Sequence, residues 1–489
     1  MFDQLIATMH VDRLLPEILV LAVVMIAILL DVVLPRGRST RGVQIATIIG
    51  LLAVLVVSMI TRKNNGLAFG GMVVIDKFAV YFRLIFTMIT LVIVAVSEHY
   101  IERSRIRIAE YYLLLLFALF GMMLMGMAKD LLILFLGIET MSISLYALVG
   151  LSRHRASSNE AALKYFMLGA FVTGFFVYGI ALLYGAAGST NIENISAFIY
   201  GNSYNLPVIA WAGVLLVLIA LGFKAALVPF HWWSPDAYEG APTTVTAFMS
   251  TAPKAAAFAA FLRVFYLGFG DLVQGWSALL WWIAVITMTF GNLLALRQDS
   301  VKRMLAFSSI THAGYLVVAL LTYDKFGASA LLFYLFVYAF MNIGAFVVAI
   351  AVNRNEDDNR GYDINDYRGL GFRRPGIAFA MLIFMLALAG IPPTAGFFGK
   401  YYIFSAAVKS GFVGLVVIGV LNSAVSVYYY LRVVVTMYLR DREPATEGAI
   451  FWKTDLAVVI LVCAVLVIYF GIVPDKLLAV ARASVGMLM

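Results

Sequence analysis

A single cysteine, Cys463, stands among the 489 residues, inside an apolar run near the end of the chain. That excludes disulfide pairs within the chain, CxxC redox motifs and iron–sulfur clusters held by cysteines of this chain alone. Charge is also scarce: 13% of the residues are Asp, Glu, Lys or Arg, against about 25% in a soluble domain. Neither a Walker loop nor a dinucleotide fingerprint following a strand is present, so nucleotide chemistry is not expected here. The longest polar connection, NRNEDDNRGYDINDYRGLGFRRP from Asn353 to Pro375, is too short to fold alone.

What fills the chain is apolar: 63% of residues are hydrophobic, and the mean hydropathy is +0.95. Successive apolar runs of about 20 residues match the thickness of a bilayer and no requirement of a soluble core. The expected fold is therefore an all-α polytopic membrane protein. About fourteen spans are read, near 14–34, 43–61, 78–97, 111–127, 130–150, 163–186, 207–230, 242–269, 273–296, 301–321, 326–351, 376–404, 412–438 and 454–474, each boundary good to about 2 to 4 residues. The N-terminal run is longer than a signal-peptide core and is read as a retained first helix. A formal charge of +8 in so apolar a chain points to orientation rather than to nucleic acid. Connections on one side hold about 20 Lys and Arg and those on the other about 9, which puts both termini outside the cytoplasm. The stretch rich in Gly, Asn and Ser between Gly185 and Asn205 lies on that outer side, without positive charge.

An ionisable group at the bilayer centre costs about 2.5 to 3.5 kcal/mol on insertion scales, so those that persist face a polar interior and mark ion paths. Glu139, in LLILFLGIETMSIS, and Lys254, in TAFMSTAPKAAAFAAF, fall near the middle of spans five and eight. Lys224 precedes Pro229 in LGFKAALVPFHWWSPDAYEGAP, and Lys400 follows Pro392 and Pro393 in LALAGIPPTAGFFGKYYIF. Two interrupted helices, each with a lysine, suggest a repeat. Spans four to eight and nine to thirteen are five helices each, and an odd unit repeated in tandem returns inverted. The segments expected are 1–110 with three N-terminal helices, 111–269 as the first five-helix unit, 270–438 as its inverted partner, and 439–489 with the last helix and tail.

His312 is central in span ten among Ser308, Ser309, Thr311 and Tyr315. It is read as a relay, with a core histidine satisfied by those hydroxyls as the rival. His231, just after Pro229, and Lys164, at the start of span six, are further candidates, the latter also able to snorkel. Arg83, Arg263 and Arg432 are read as structural or snorkelling, and Glu17 and Asp31 as ends of span one. Glu139, Lys224, Lys254, His312 and Lys400 then make a chain of titratable groups across the middle of the bilayer, passing protons without a metal or cofactor on this chain.

The stretches LFLGIETMSISLYALVG, EAALKYF, LGFKAALVPFHWWSPDAYEGAPTTVTAFMSTAPKAAAF, RMLAFSSITHAGYL and LAGIPPTAGFFGKYYIF, in that order, resemble the antiporter-like membrane subunits of proton-pumping NADH:quinone oxidoreductase, respiratory complex I, and most of all its N-type subunit. The resemblance implies that Glu139 modulates Lys224, that Lys254 is the central relay lysine, that His312 links the two halves, and that Lys400 is the terminal group. It implies that FMN, iron–sulfur clusters and the quinone site belong to partner subunits. The partners implied are the other membrane subunits, antiporter-like ones among them, and the site is a bacterial inner membrane with both termini on the periplasmic side. Two other classes remain: a subunit of a multisubunit Na+/H+ antiporter, and a free-standing transporter of an organic solute, against which stand lysines strung over many helices rather than gathered at one pocket.

Overall fold

The computed structural model describes residues 9–34, 39–104, 108–203, 205–353, 361–441 and 453–486. Part of the long polar connection, 354–360, lies outside the described residues; Asp363, further along it, pairs with Ser300.

The chain is a bundle of helices, and among the described residues twelve are long and apolar enough to cross a membrane. The first three are α1 (Leu15–Val33), α2 (Ser39–Ile60) and α3 (Lys77–Arg103). Between α2 and α3 lies the one sheet among the described residues, an antiparallel hairpin of β1 (Gly66–Ala68) and β2 (Val73–Ile75) that departs from an all-α reading. Then come α4 (Ile108–Met127), α5 (Leu131–Val149) and α6 (Ala156–Ala187). The polar stretch after α6, expected as a connection, contains an amphipathic helix, α7 (Ile192–Gly201). Asn191 caps it, its Oδ1 accepting from the Glu193 and Asn194 amides. A segment this short escapes a search for bilayer-length runs.

Span seven is two pieces, α8 (Val208–Lys224) and α9 (Trp233–Gly240), and span twelve is also two, α15 (Pro375–Ala389) and α16 (Ala395–Lys409). Both breaks close in the same way. After α8, the Leu227 amide donates to the Gly222 carbonyl and Ala226 to Phe223; after α15, Ile391 donates to Leu386 and Gly390 to Ala387. This pair of bonds defines a Schellman ending, which needs a left-handed residue just past the helix. Gly390 supplies it at φ 84°, whereas at the first break Ala226 adopts φ 58° with a Cβ in place.

Span eight corrects the sequence reading, which took it as unbroken. It is α10 (Thr243–Met249), then α11 (Ala252–Phe261), then one π-helical stretch, Leu262–Gly268. Thr251 is non-helical at φ −122° and ψ −76°. Pro253 explains the stop: its ring removes an amide and crowds the preceding turn, so a helix starts there more readily than it continues. The second half continues with α12 (Val273–Leu296), α13 (Val301–Leu321), α14 (Lys325–Val352) and, beyond the broken span, α17 (Val413–Leu439). After α17, α18 (Thr454–Ile472) ends the row of spans, and α19 (Asp475–Val485) is a short amphipathic tail helix.

Several pairs of neighbours approach backbone to backbone, among them α4 with α5 and α12 with α13. A Cβ at Gly121 of α4 would fall 2.6 Å from the Met141 amide of α5, and one at Gly314 of α13 would fall 2.9 Å from the Met288 amide of α12. Small residues at helix crossings allow this approach, and in lipid close packing is the main force between helices. α13 and α14 are covered nearly all round, whereas α2, α6 and α17 turn large apolar side chains outward.

Buried arginines tie the elements together. Arg83 of α3 meets Glu17 of α1 at 2.7 Å (Nε–Oε1) and 3.1 Å (Nη2–Oε2), both side chains buried. Arg263, in the π-helical stretch, binds Asp76 through two bonds of 2.7 Å and donates to the Gly126 carbonyl at the end of α4 at 3.1 and 3.2 Å. Asp76 meanwhile caps α3 through the Ala79 amide at 2.7 Å. The planar guanidinium fits a carboxylate in two places at once, and this geometry lets a buried charge persist.

Candidate functional site

The site is best built from α5 and α13, the two helices that carry its polar rows. On α5, Glu139, Ser142 and Tyr146 are spaced i, i+3, i+7 and so share one face. Glu139 accepts from Thr173 Oγ1 of α6 at 2.7 Å. Lys224, the last residue of α8, donates to Ser142 Oγ at 2.7 Å and lies 3.4 Å from Tyr146 Oη. Its place at the helix end is favourable, because the last carbonyls carry negative partial charge and lack partners. Ser142 Oγ itself donates to the Ile138 carbonyl, so Glu139 and Lys224 share the α5 face without a bonded link through Ser142, and no direct ion pair joins them among the described residues.

On α13, Ser309, His312 and Tyr315 recur every three residues, again on one side. Lys254, third residue of α11, donates to the Ser309 carbonyl at 2.5 Å and to Ser309 Oγ. At the start of α11 the helix dipole opposes a cation, and the two oxygens from α13 offset it. The His312 ring contacts two hydroxyls, Tyr334 Oη at Nδ1 (2.5 Å) and Tyr430 Oη at Nε2 (3.0 Å); Tyr430 also bonds Ser308. A neutral imidazole is satisfied by one accepted and one donated bond. Tyr315 lies edge-on to His312, ring centres 5.6 Å apart, and Lys400 Nζ is 5.0 Å from the Tyr315 ring centre. Lys400 itself donates to the Ala389 carbonyl, freed by the end of α15, at 2.9 Å, and to Ser423 Oγ of α17 at 2.8 Å.

All three lysines and His312 are buried, from 1% to 6% exposed. The structure therefore gathers Glu139 with Lys224, and Lys254 with His312 and Lys400; α8 packs on α11 between the two groups. It does not bring Lys164 or His231 into either. Lys164 stands at the surface of α6, bound to Glu160 at 2.8 Å and to Asp236 of α9 at 3.0 Å. Arg303 of α13 reaches Glu239 and, at 3.8 Å, Asp236, so this charged cluster holds the second half of the broken span against its neighbours. His231 is buried against the Trp232 ring, centres 4.8 Å apart, with Nδ1 unpartnered among the described residues.

Sequence reasoning passed over several polar residues. Ser142 and Tyr146 were legible as one helical face with Glu139. Ser423, Tyr334 and Tyr430 were not, because tertiary packing alone puts them beside Lys400 and His312. Lys302 is a further buried lysine, donating to the Ala241 carbonyl at 2.6 Å. A polar knot also lies beside the second group: Asn292 binds Asn422 Oδ1 at 3.1 Å and accepts from Tyr429 at 2.9 Å. Asn342 of α14 donates to Ser250, at the break in span eight, at 2.7 Å and to Tyr338 Oη at 3.1 Å.

Comparison with known proteins follows the same outline. A family model described as NADH:quinone oxidoreductase/Mrp antiporter, TM, matches residues 128–426. NADH-quinone oxidoreductase subunit N of Trichlorobacter lovleyi is 44% identical over 490 residues, covering 99% of both chains. Among solved structures, a chain of respiratory complex I from Thermus thermophilus superposes with a TM-score of 0.80 at 35% identity, over 95% of this chain and 98% of that one. A chain of the Mrp complex from a Dietzia species gives a TM-score of 0.84 at 22% identity over 98% of each, a likeness of fold alone.

Proposed function

Because the chain belongs to the subunit N family of NADH:quinone oxidoreductase, antiporter-like and proton-translocating in the membrane arm of that complex, we propose that its protons travel along Glu139, Lys224, Lys254, His312 and Lys400. The observation that carries this is the company the lysines keep. Each is buried, yet bonded to hydroxyls and carbonyls rather than to a carboxylate. A lysine paired with a buried carboxylate would leave a bare charge on giving up its proton, at severe cost. One surrounded by neutral acceptors can lose its proton without stranding a partner.

Glu139 sets the state of Lys224 across the Ser142 face, and a carboxylate that gains or loses charge there changes the balance of the lysine's two forms. Lys254 receives from that side, and His312, between two tyrosine hydroxyls, joins it to Lys400. These groups titrate as one coupled set. Lys164, bound to Asp236, holds α9 in place, and neither it nor His231 takes a step in the relay.

In this reading fourteen spans cross the membrane, the broken seventh and twelfth included, and 111–269 and 270–438 are inverted units of five. The matching Schellman endings and the paired glycine crossings support that. Both termini face the periplasm of a bacterial inner membrane, as the distribution of basic residues supports. Flavin, iron–sulfur clusters and quinone chemistry sit on partner subunits, and other antiporter-like subunits adjoin this chain in the membrane.

The test is NADH-driven proton uptake by the intact complex in proteoliposomes. Glu139→Gln is expected to lower it while assembly holds, in sodium-free and sodium-containing buffer alike. Proton movement that needs sodium, and that Glu139→Gln leaves at the normal rate, would favour the ion-exchange alternative.

A further inference from the structure

One face of α14 reaches from the second group to the break in span eight. Tyr334, Tyr338 and Asn342 stand at i, i+4 and i+8 and so line that face. Tyr334 Oη meets His312 Nδ1 at 2.5 Å, and the Tyr338 and His312 ring centres are 5.0 Å apart. Asn342 is fully buried and uses both of its amide hydrogens: Nδ2 donates to Tyr338 Oη at 3.1 Å and to Ser250 Oγ at 2.7 Å. Ser250 ends α10, and its own hydroxyl donates to the Ala247 carbonyl at 2.9 Å. Tyr238 of α9 donates to the neighbouring Met249 carbonyl at 3.2 Å. The last turn before the break is thus held by α9 and by α14, and Lys254 stands four residues beyond Ser250. Asn342 Oδ1, by contrast, is buried with no partner among the described residues. A leucine of similar size would fill the place without leaving an acceptor unmet, so packing alone does not account for an asparagine here.

We infer that Asn342 is a positioning residue for the step between Lys254 and His312. It bonds to neither of them among the described residues. By holding Ser250 it fixes where α10 stops and α11 begins, and α11 carries Lys254 in its first turn, bonded to Ser309 of α13. By holding Tyr338 it fixes the same α14 face that contacts His312. One amide therefore ties the break and the tyrosine row together, and the lysine keeps its place relative to the imidazole. Proton transfer requires donor and acceptor within hydrogen-bond reach, directly or through one water, and small misplacements slow it steeply.

This rests on the lysine relay proposed above, and the experiment separates the two. In the complete complex in proteoliposomes, Asn342→Leu, Ser250→Ala, the double variant and Lys254→Met are compared for NADH-driven proton uptake per assembled complex and for the solvent deuterium isotope effect on it. Asn342→Leu, close in size but with no hydrogen to donate, is expected to slow uptake on the order of 10- to 100-fold, as lost alignment does, and to raise the isotope effect. Ser250→Ala is expected to do nearly the same, and the double variant to fall little further, since the two side chains act through one bond. A residue that only packs the bundle would lower the yield of complex and leave uptake per complex unchanged. That result in Asn342→Leu, with Lys254→Met inactive, overturns the proposal and leaves the lysine relay standing. A double variant whose loss is the product of the two single losses overturns it as well. Normal uptake in Lys254→Met removes both. Should Asn342→Leu fail to assemble, Ser250→Ala carries the same expectation, and normal uptake in it overturns the proposal.

Discussion

Two kinds of buried cation occupy this bundle, and their surroundings differ. Arg83 and Arg263 each face a carboxylate, Glu17 and Asp76, in doubled contact. Lys224, Lys254 and Lys400 face serine hydroxyls and backbone carbonyls. Arginine stays protonated in proteins, and its planar fork suits a fixed carboxylate; lysine releases a proton when its surroundings favour the neutral amine. The paired arginines therefore read as fasteners, one joining α1 to α3 and the other joining α3, α4 and the π-helical stretch. The lysines, with partners that tolerate either state, read as the mobile part of the charge inventory.

The comparison can be broken most forcefully at Arg263. Arg263→Met leaves Asp76 buried and unpaired, for which a loss of about 3 to 5 kcal/mol is expected, seen as failed assembly or a lowered denaturation midpoint of the complex. Arg263→Lys keeps the charge but gives up the fork, and a smaller loss of about 1.5 to 3 kcal/mol is expected in the same assay. Equal stability of wild type and Arg263→Met would mean that the fastener reading is mistaken.

A finer contrast lies between the two broken spans. The first closes on Ala226 at positive φ where the second has Gly390. Left-handed backbone costs a residue with a Cβ about 1 to 2 kcal/mol, so Ala226→Gly is expected to stabilise the complex by about 1 kcal/mol, less the entropy that glycine brings to the unfolded chain. A destabilised Ala226→Gly variant would show that the break is held by contacts of the alanine methyl instead.

Much of this arrangement was legible before any coordinates. Apolar runs of bilayer length gave the spans because each repeats the same physical requirement, and the cost of a central charge singled out Glu139, Lys254 and His312. Pro229 and the Pro392–Pro393 pair marked two of the breaks, since proline interrupts a helix wherever it falls. The third break was equally written, in Pro253, but hydropathy runs unbroken across it and masked the stop. What remained hidden depends on partners far apart in sequence: the reach of Ser423 to Lys400, and the grip of Tyr334 and Tyr430 on His312. The pairing of Arg83 with Glu17 was hidden likewise, since neither residue carries a local signal of the other. The hairpin 66–75 and the helices α7 and α19 were missed for a different reason, being too short to register as spans.

The most direct test of the lysine's role is the ratio of protons taken up to quinone reduced by the complex carrying Lys254→Met, reconstituted with NADH as the only driving force. Loss of this cation removes the centre of the relay while the Arg263 and Arg83 fasteners stay intact, so a fall in the ratio is expected in a complex that still assembles. A wild-type ratio in that variant would contradict the role assigned to Lys254 and, with it, the division of the buried charges into fasteners and carriers.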